Sequence, residues 1–142
     1  MGCFLTAVAS PLPAGETELF WHHDWKAATE AAARTDRPLF AAAIGTDWSA
    51  ASKKFEREIL DTVVFRNFAR DHLILYKLES NQPPLHAKEI SGRLQAMTII
   101  LDIDEIPTFI LFGPGGEEWL RHGYLKREPE AYVEALRALA GA

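Results

Sequence analysis

The hydrophobic positions of this chain follow two patterns, one typical of amphipathic helices and one typical of buried strands. The predicted helices begin near Asp24, Ser49, Ala87 and Glu128, and a further helical piece follows residue 62. The predicted strands are 38–44, 73–78, 106–112 and 117–123. This order predicts two crossover units, a hairpin and a final helix. We therefore expect an α/β domain with a mixed sheet of about four strands and helices on both faces.

The first predicted strand and the helix after it are the clearest of these elements. Residues 38–44 are apolar without interruption and end at Gly45, which favours a strand buried on both faces. Apolar residues at helical spacing begin just after Ser49, a residue type that often caps helix N-termini. The sequence thus predicts a strand, a short loop and a helix that starts at Ser49.

Composition and charge narrow the class of protein. The 142 residues fit one domain, and the net charge of -5 argues against nucleic acid as a partner. The sequence has no apolar stretch long enough to span a membrane. Cys3 is the only cysteine, so an intramolecular disulfide and a zinc site of several thiolates are both excluded.

The N-terminal residues have some features of an export signal. Ala7-Val8-Ala9 has the small-x-small form that signal peptidases recognise, but no basic segment precedes it. We expect residues 1–20 to form a flexible tail that includes the remnant of an export signal, and residues 21–142 to form the domain. Lipidation of Cys3 and a plain frayed terminus are alternatives. A periplasmic or otherwise exported protein is the prediction, and a cytoplasmic location stays open.

Three local motifs have a recognisable spacing. Gly45-Thr46-Asp47-Trp48 directly precedes Ser49-Ala50-Ala51-Ser52 at the predicted helix start, Ile106-Pro107-Thr108 enters the third strand, and Gly113-Pro114-Gly115-Gly116 leaves it. With Gly123-Tyr124 before the last helix, the chain from residue 21 onward resembles the thioredoxin fold. It is most similar to exported bacterial thioredoxin-like proteins of the Gly-Ser-Asp-Trp-Cys-x-x-Cys type.

The resemblance implies a role for each residue of these motifs. Ser49 stands where the family has its nucleophilic cysteine, and Ser52 stands where it has the resolving cysteine. Trp48 would flank the site. Pro107, in the cis form of the family, would face Ser49 across a groove in which Ile106 offers its backbone to an extended substrate.

The two serines remove the chemistry of the family. A helix N-terminus lowers the pKa of a cysteine and so supplies the thiolate that attacks disulfides. An aliphatic hydroxyl is far less acidic and cannot exchange disulfides, so we expect a redox-inactive protein without cofactor or metal. A serine hydrolase has little support, because no Ser/His/acid signature surrounds the scattered histidines. These histidines are His22, His23, His72, His86 and His122.

Two hypotheses for the function follow. In the first, the protein acts by binding an extended peptide or a protein partner in the groove of Trp48, Ile106 and Pro107. In the alternative, it is a thiol–disulfide oxidoreductase whose two cysteines were changed to serine, the nearest isostere. Whether the protein is an enzyme therefore stays open, and cysteine codons at positions 49 and 52 of the native gene would favour the alternative.

The predicted helix before residue 101 has apolar residues nearly all round. Ile99 and Ile100 therefore indicate either deep burial or a contact surface, which could join two copies of the chain. Asp102, Asp104 and Glu105 follow, close to the predicted groove. They form either a solvated acidic loop or a site that selects basic peptides.

Overall fold

The structure is a computed structural model that describes residues 18–46, 48–80 and 92–141, with only the backbone of Arg93. The N-terminal motif Ala7-Val8-Ala9, Cys3 and the predicted helix start at residues 87–91 lie outside the described residues. Within the described ranges, no helix is long and apolar enough to cross a membrane.

Helices and strands alternate along most of the described chain. The strands are β1 (Trp21–His22), β2 (Leu39–Gly45), β3 (Ile74–Ser80), β4 (Thr108–Phe112) and β5 (Glu118–His122). The helices are α1 (Trp25–Thr35), α2 (Ala50–Phe55), α3 (Val63–His72), α4 (Gly92–Ile100) and α5 (Pro129–Ala140). A π-helical turn, Glu56–Leu60, continues α2 toward α3.

The described strands form one mixed sheet in the order β1-β3-β2-β4-β5. Strand β2 runs parallel to β3 and antiparallel to β4, and β4 and β5 form the expected antiparallel hairpin. The α/β fold class is confirmed, but the expected number of about four strands is too low. The fifth strand is β1, which pairs only Trp21 and His22 with β3 and is too short to show an alternating pattern.

Alternation along β2 divides the core into two layers. All seven residues of β2 are buried, as predicted for a strand covered on both faces. Phe40, Ala42 and Ile44 face the cluster formed with α2, α3 and α5. The residues between them face a second cluster formed with α1 and α4. The small alanine side chains allow both helical layers to approach the sheet closely.

The structure distinguishes between deep burial and surface exposure for the two isoleucines at the end of α4. Met97 and Leu101 are buried against the sheet, whereas Ile99 is 72% exposed and Ile100 is 61% exposed. Asp102 then adopts the left-handed conformation with φ of 55° and ends the helix. Ile99 and Ile100 therefore lie on the outer surface of the described structure and not in its core.

Candidate functional site

The first candidate residue, Ser49, caps helix α2 as the sequence predicts. Its side-chain oxygen accepts a hydrogen bond from the backbone N–H of Ser52 at 3.1 Å. Its carbonyl accepts the N–H of Lys53 at 3.2 Å. Ser49 therefore satisfies one of the N–H groups that a helix start leaves without a partner in the helix.

The hydroxyl groups of the two serines contact each other directly. Ser49 donates its hydroxyl proton to the Ser52 hydroxyl oxygen at 2.8 Å. The same oxygen accepts the backbone N–H of Gly45 at 3.0 Å. Ser52 is fully buried and Ser49 is only 6% exposed. The pair thus forms a closed hydrogen-bonded link between the end of β2 and the first turn of α2.

Trp48 is held against the end of the sheet by its neighbours. Its indole Nε1–H donates to the carbonyl oxygen of Ser80, the last residue of β3, at 2.8 Å. A Cβ atom at Gly45 would lie 2.6 Å from both Cε2 of Trp48 and Cβ of Ser49. Only glycine fits there without displacing the indole or the helix start, so Gly45 is a requirement of this site.

Ile106 and Pro107 lie at the same edge of the sheet. The peptide bond between them is cis, and the ladder of β2 and β4 ends with the pair of Ala43 and Thr108. Pro107 directly precedes that last pair, so it lies at the edge to which β2 brings Gly45. Pro107 is buried and Ile106 is half-buried. The structure therefore brings the five residues singled out from the sequence to one edge of the sheet.

Gly123 and Tyr124 add a second wall to this edge. A Cβ atom at Gly123 would lie 3.3 Å from the carbonyl oxygen of Pro107, which makes the approach of the two backbones close. The Tyr124 hydroxyl donates to Oε1 of Glu58 at 2.8 Å, and the ammonium group of Lys54 lies 5.4 Å from the ring centroid. These contacts tie the segment after β5 to the α2 side of the site.

A hydrogen-bonded pair of the half-buried His122 and the buried Tyr132 was not predicted from the sequence. His122 Nδ1 donates to the carbonyl oxygen of Gly123 at 2.6 Å, because a carbonyl can only accept, and Nε2 accepts the Tyr132 hydroxyl at 2.7 Å. The imidazole also packs against the rings of Phe55 and Phe109. Burial lowers the pKa of His122, with a smaller contribution from Arg127. Both ring nitrogens are thus engaged away from Ser49.

The remaining described histidines do not form a catalytic or metal-binding group. No cluster of three or more His, Cys, Asp or Glu side chains with metal-site geometry occurs in the described ranges. His72 packs on the ring of Phe68 and His22 on that of Phe20. Disulfide exchange needs a thiolate, and both positions 49 and 52 carry hydroxyls.

The sheet contains a parallel pair of strands and an antiparallel hairpin, and a serine-capped helix and a cis-proline lie at the same end of its central strands. Together these features define a protein with the thioredoxin fold. The family model described as thioredoxin-like matches residues 20–114, and the chain belongs to that family. With a single cysteine in its sequence, this member has no Cys-x-x-Cys disulfide.

Comparison with solved structures supports the same fold. A structure titled DsbH Oxidoreductase superposes with a TM-score of 0.73 at 19% identity, over 96% of this chain and 94% of that one. A thioredoxin from Thermus thermophilus superposes with a TM-score of 0.66 at 15% identity, over 87% of this chain and 88% of that one. Trxlp from Edwardsiella tarda EIB202 superposes with a TM-score of 0.59 at 23% identity, over 80% of this chain and 95% of that one. At these identities the likeness concerns the fold alone. A comparison with curated proteins finds no match.

Proposed function

We propose that this chain is a redox-inactive thioredoxin-fold protein that acts by binding an extended peptide or a protein partner. The binding groove in this proposal consists of Trp48, Ile106 and Pro107. Ser49 and Ser52 occupy the positions of the cysteines that perform disulfide exchange in the family.

The hydrogen-bonded serine pair is the observation that carries the loss of redox chemistry. Its two hydroxyl oxygens are 2.8 Å apart, and the Ser52 oxygen also accepts the Gly45 N–H. A hydroxyl at a helix N-terminus does not ionise near neutral pH as a thiol does. The described histidine next to the sheet edge, His122, is occupied by Gly123 and Tyr132 and supplies no base to Ser49. The pair therefore has a structural role.

Binding is supported by the backbone just before the start of β4. The ladder between β2 and β4 ends at Thr108, so Ile106 lies beyond its last pair. An extended peptide can add to such a backbone through main-chain hydrogen bonds. Trp48 is half-buried, and its hydrogen bond to Ser80 fixes the indole without covering it fully. A rigid aromatic side chain of this kind is a common anchor in interfaces.

Peptide titration followed by NMR tests this function. The probe is the B chain of insulin with its thiols alkylated, which is an extended peptide that cannot form disulfides. We expect shifts of the Trp48 indole and of the Ile106 amide, and about tenfold weaker binding for Trp48→Ala, which removes the aromatic anchor. Val63→Ser, at an exposed position of α3, is the control. Shifts confined to other surfaces, or no binding, would contradict the proposal.

The alternative function is that of an oxidoreductase whose two cysteines were changed to serine. The contact of the two hydroxyl oxygens at 2.8 Å favours it, because thiols at the same positions would also face each other. Reduction of insulin tests the distinction: we expect none from the Ser-Ser chain and measurable activity from Ser49→Cys, Ser52→Cys. Activity of the unchanged chain would contradict redox inactivity, and cysteine codons in the native gene would favour the alternative.

The proposal also covers the extent of the domain, the location of the protein and a second contact surface. We propose residues 21–142 as the folding unit, and Leu19, just before it, packs on the core cluster formed with α2, α3 and α5. Export is supported by the Ala7-Val8-Ala9 pattern, and cell fractionation with antibody detection tests it. The exposed Ile99 and Ile100 offer a second contact surface, for which another protein and a second copy of the chain are both candidates.

A further inference from the structure

The last turn of α4 presents two large aliphatic side chains to solvent. Ile99 is 72% exposed and Ile100 is 61% exposed, while Met97 and Leu101 of the same segment are buried in the second core cluster. Exposed isoleucines at adjacent positions form a patch that a partner can cover. We call Ile99 and Ile100 the isoleucine patch.

An acidic rim follows this patch along the chain. Asp102, Asp104 and Glu105 are all exposed, and we call these three residues the acidic rim. The left-handed conformation of Asp102 ends the helix, and Ile103 returns to the core because its N–H donates to the Thr98 carbonyl at 2.8 Å. The carboxylates therefore remain at the surface beside the isoleucine patch.

Arg121, a described cation that lies among these acids, already forms hydrogen bonds within the protein. Arg121 donates to the Leu101 carbonyl at 2.8 Å and to Asp102 through its backbone carbonyl at 3.1 Å. It also forms two hydrogen bonds to Glu118, at 2.9 and 3.0 Å. The hydrogen bond to Glu118 raises the pKa of Arg121, and the charges of Asp102 and Asp104 add to this effect. Among the described side chains, one arginine against four carboxylates leaves this surface negative.

The acidic rim adjoins the proposed groove. A Cβ atom at Gly123 would lie 3.5 Å from Oε1 of Glu105 and 3.3 Å from the Pro107 carbonyl oxygen, so this carboxylate lies beside the backbone of Pro107. Ile106 packs against the cluster that contains Met97 and Leu101 of the α4 segment. The isoleucine patch, the acidic rim and Ile106–Pro107 therefore follow one another within residues 99–107 of the chain.

We infer that the partner of this surface is a protein segment that is both basic and apolar. Its backbone lies at Ile106–Pro107, its Lys or Arg side chains contact the acidic rim, and its apolar side chains cover the isoleucine patch. This inference rests on the proposed binding function and specifies its substrate class. Charge complementarity of this kind favours an oppositely charged partner and excludes like-charged ones.

A second copy of the chain fits this surface poorly. A closed dimer has two-fold symmetry and brings the same patch of each copy together. A dimer with the isoleucine patch on its two-fold axis would bring the two adjacent acidic rims close together, at a cost in like-charge repulsion. This cost favours another protein over self-association through the patch.

Three labelled peptides of about twelve residues test the inference by fluorescence polarisation. The first has two central isoleucines flanked by lysines, the second has glutamates in place of the lysines, and the third has serines in place of the isoleucines. We expect the first to bind more tightly than either of the others, and its affinity to fall as salt rises from about 50 to about 300 mM.

Variants of the protein locate the contacts. The triple variant Asp102→Asn, Asp104→Asn, Glu105→Gln should bind the lysine peptide about tenfold more weakly, whereas Glu130→Gln, Glu134→Gln on α5 should bind it as the parent does. Ile99→Ser, Ile100→Ser should also weaken binding, and Val63→Ser, which is 58% exposed, should not. Unchanged thermal unfolding of each variant shows that the fold is intact.

The possible outcomes distinguish this inference from the proposed function. Equal binding of all three peptides, with loss in Trp48→Ala alone, overturns the inference and leaves the groove in place. Failure of every peptide to bind overturns both. A wild-type dimer in sedimentation that Ile99→Ser, Ile100→Ser dissociates would assign the isoleucine patch to a second copy and would also overturn the inference.

Discussion

The hydroxyl of Ser49 donates to the hydroxyl oxygen of Ser52 across 2.8 Å, and this contact joins a side chain that is 6% exposed to one that is fully buried. Through Ser52 the contact extends to the backbone N–H of Gly45. The serine pair therefore holds the end of β2 against the start of α2. This structural role can be measured separately from any binding or redox function.

Removal of the Ser52 hydroxyl should expose this role. Ser52→Ala leaves the buried Gly45 N–H without its acceptor, which costs about 1–3 kcal/mol of the free energy of unfolding. Hydrogen exchange by NMR should show faster exchange of the Gly45 amide. Ser49→Ala is the matched control, because it removes the helix cap at about 1 kcal/mol but leaves the Gly45 bond to Ser52 in place. Equal exchange of Gly45 in the two variants would contradict the assignment.

A side chain at Gly45 should disturb the site more than the same change elsewhere. In Gly45→Ala the new Cβ would lie 2.6 Å from atoms of Ser49 and Trp48, so the helix start or the indole must move. We expect a loss of about 1–3 kcal/mol and a changed Trp48 fluorescence. Gly92→Ala is the control, since a Cβ there would have no atom of the described residues outside its own helix backbone within 4 Å. Similar melting temperatures for the two variants would show that the close contact is relieved cheaply.

The sequence predicts those parts of the fold that depend on local interactions. Asp24 caps α1 by accepting the N–H of Ala27, and Ser49 caps α2, as their residue types indicate. The predicted hairpin turn at 113–116 is also confirmed, with Gly116 at a φ of 98° that favours glycine. In each case the residues that determine the feature are neighbours in the chain.

Features that depend on the assembled fold are missed. Strand β1 has two residues and forms only because β3 offers a free edge, so no period in its own sequence marks it. The contact between His122 and Tyr132 joins a strand to a helix ten positions later, and the packing of α5 on the sheet determines it. The sequence also does not determine whether Ile99 is buried or exposed, because an apolar helix face has the same pattern in both cases.

The Tyr132 hydroxyl should contribute to stability through His122. Burial raises the pKa of Tyr132, so its hydroxyl stays protonated and donates to Nε2. Tyr132→Phe removes the hydroxyl of a side chain that is 2% exposed and leaves Nε2 of the half-buried His122 without this partner, so it should cost about 1 kcal/mol in urea unfolding. Tyr124→Phe is the comparison: it also removes a hydroxyl, but Tyr124 is half-buried where Tyr132 is buried, so water can replace this hydroxyl at Glu58. An equal or larger loss in Tyr124→Phe would contradict this role of the hydroxyl.

The same histidine should make stability depend on pH. Burial lowers the pKa of folded His122 below 6.5, whereas the unfolded chain keeps the ordinary value. The unfolded state therefore binds more protons as pH falls, so stability is full above about pH 6.5 and decreases below it until the folded pKa is reached. The free energy of unfolding, measured by urea titration from about pH 7.5 to about pH 5, should fall accordingly.

Variants isolate the histidine in that measurement. His122→Gln keeps an amide that can donate to Gly123 and accept from Tyr132, and it should flatten the decrease. His22→Gln, at a less buried histidine whose pKa burial also lowers, should flatten it less. Asp71 and Glu118, whose pKa values their hydrogen bonds to arginine lower, titrate below this range. Glu56, whose pKa burial raises, changes stability in the opposite direction. A slope that His122→Gln leaves unchanged would therefore assign the pH dependence to groups other than His122.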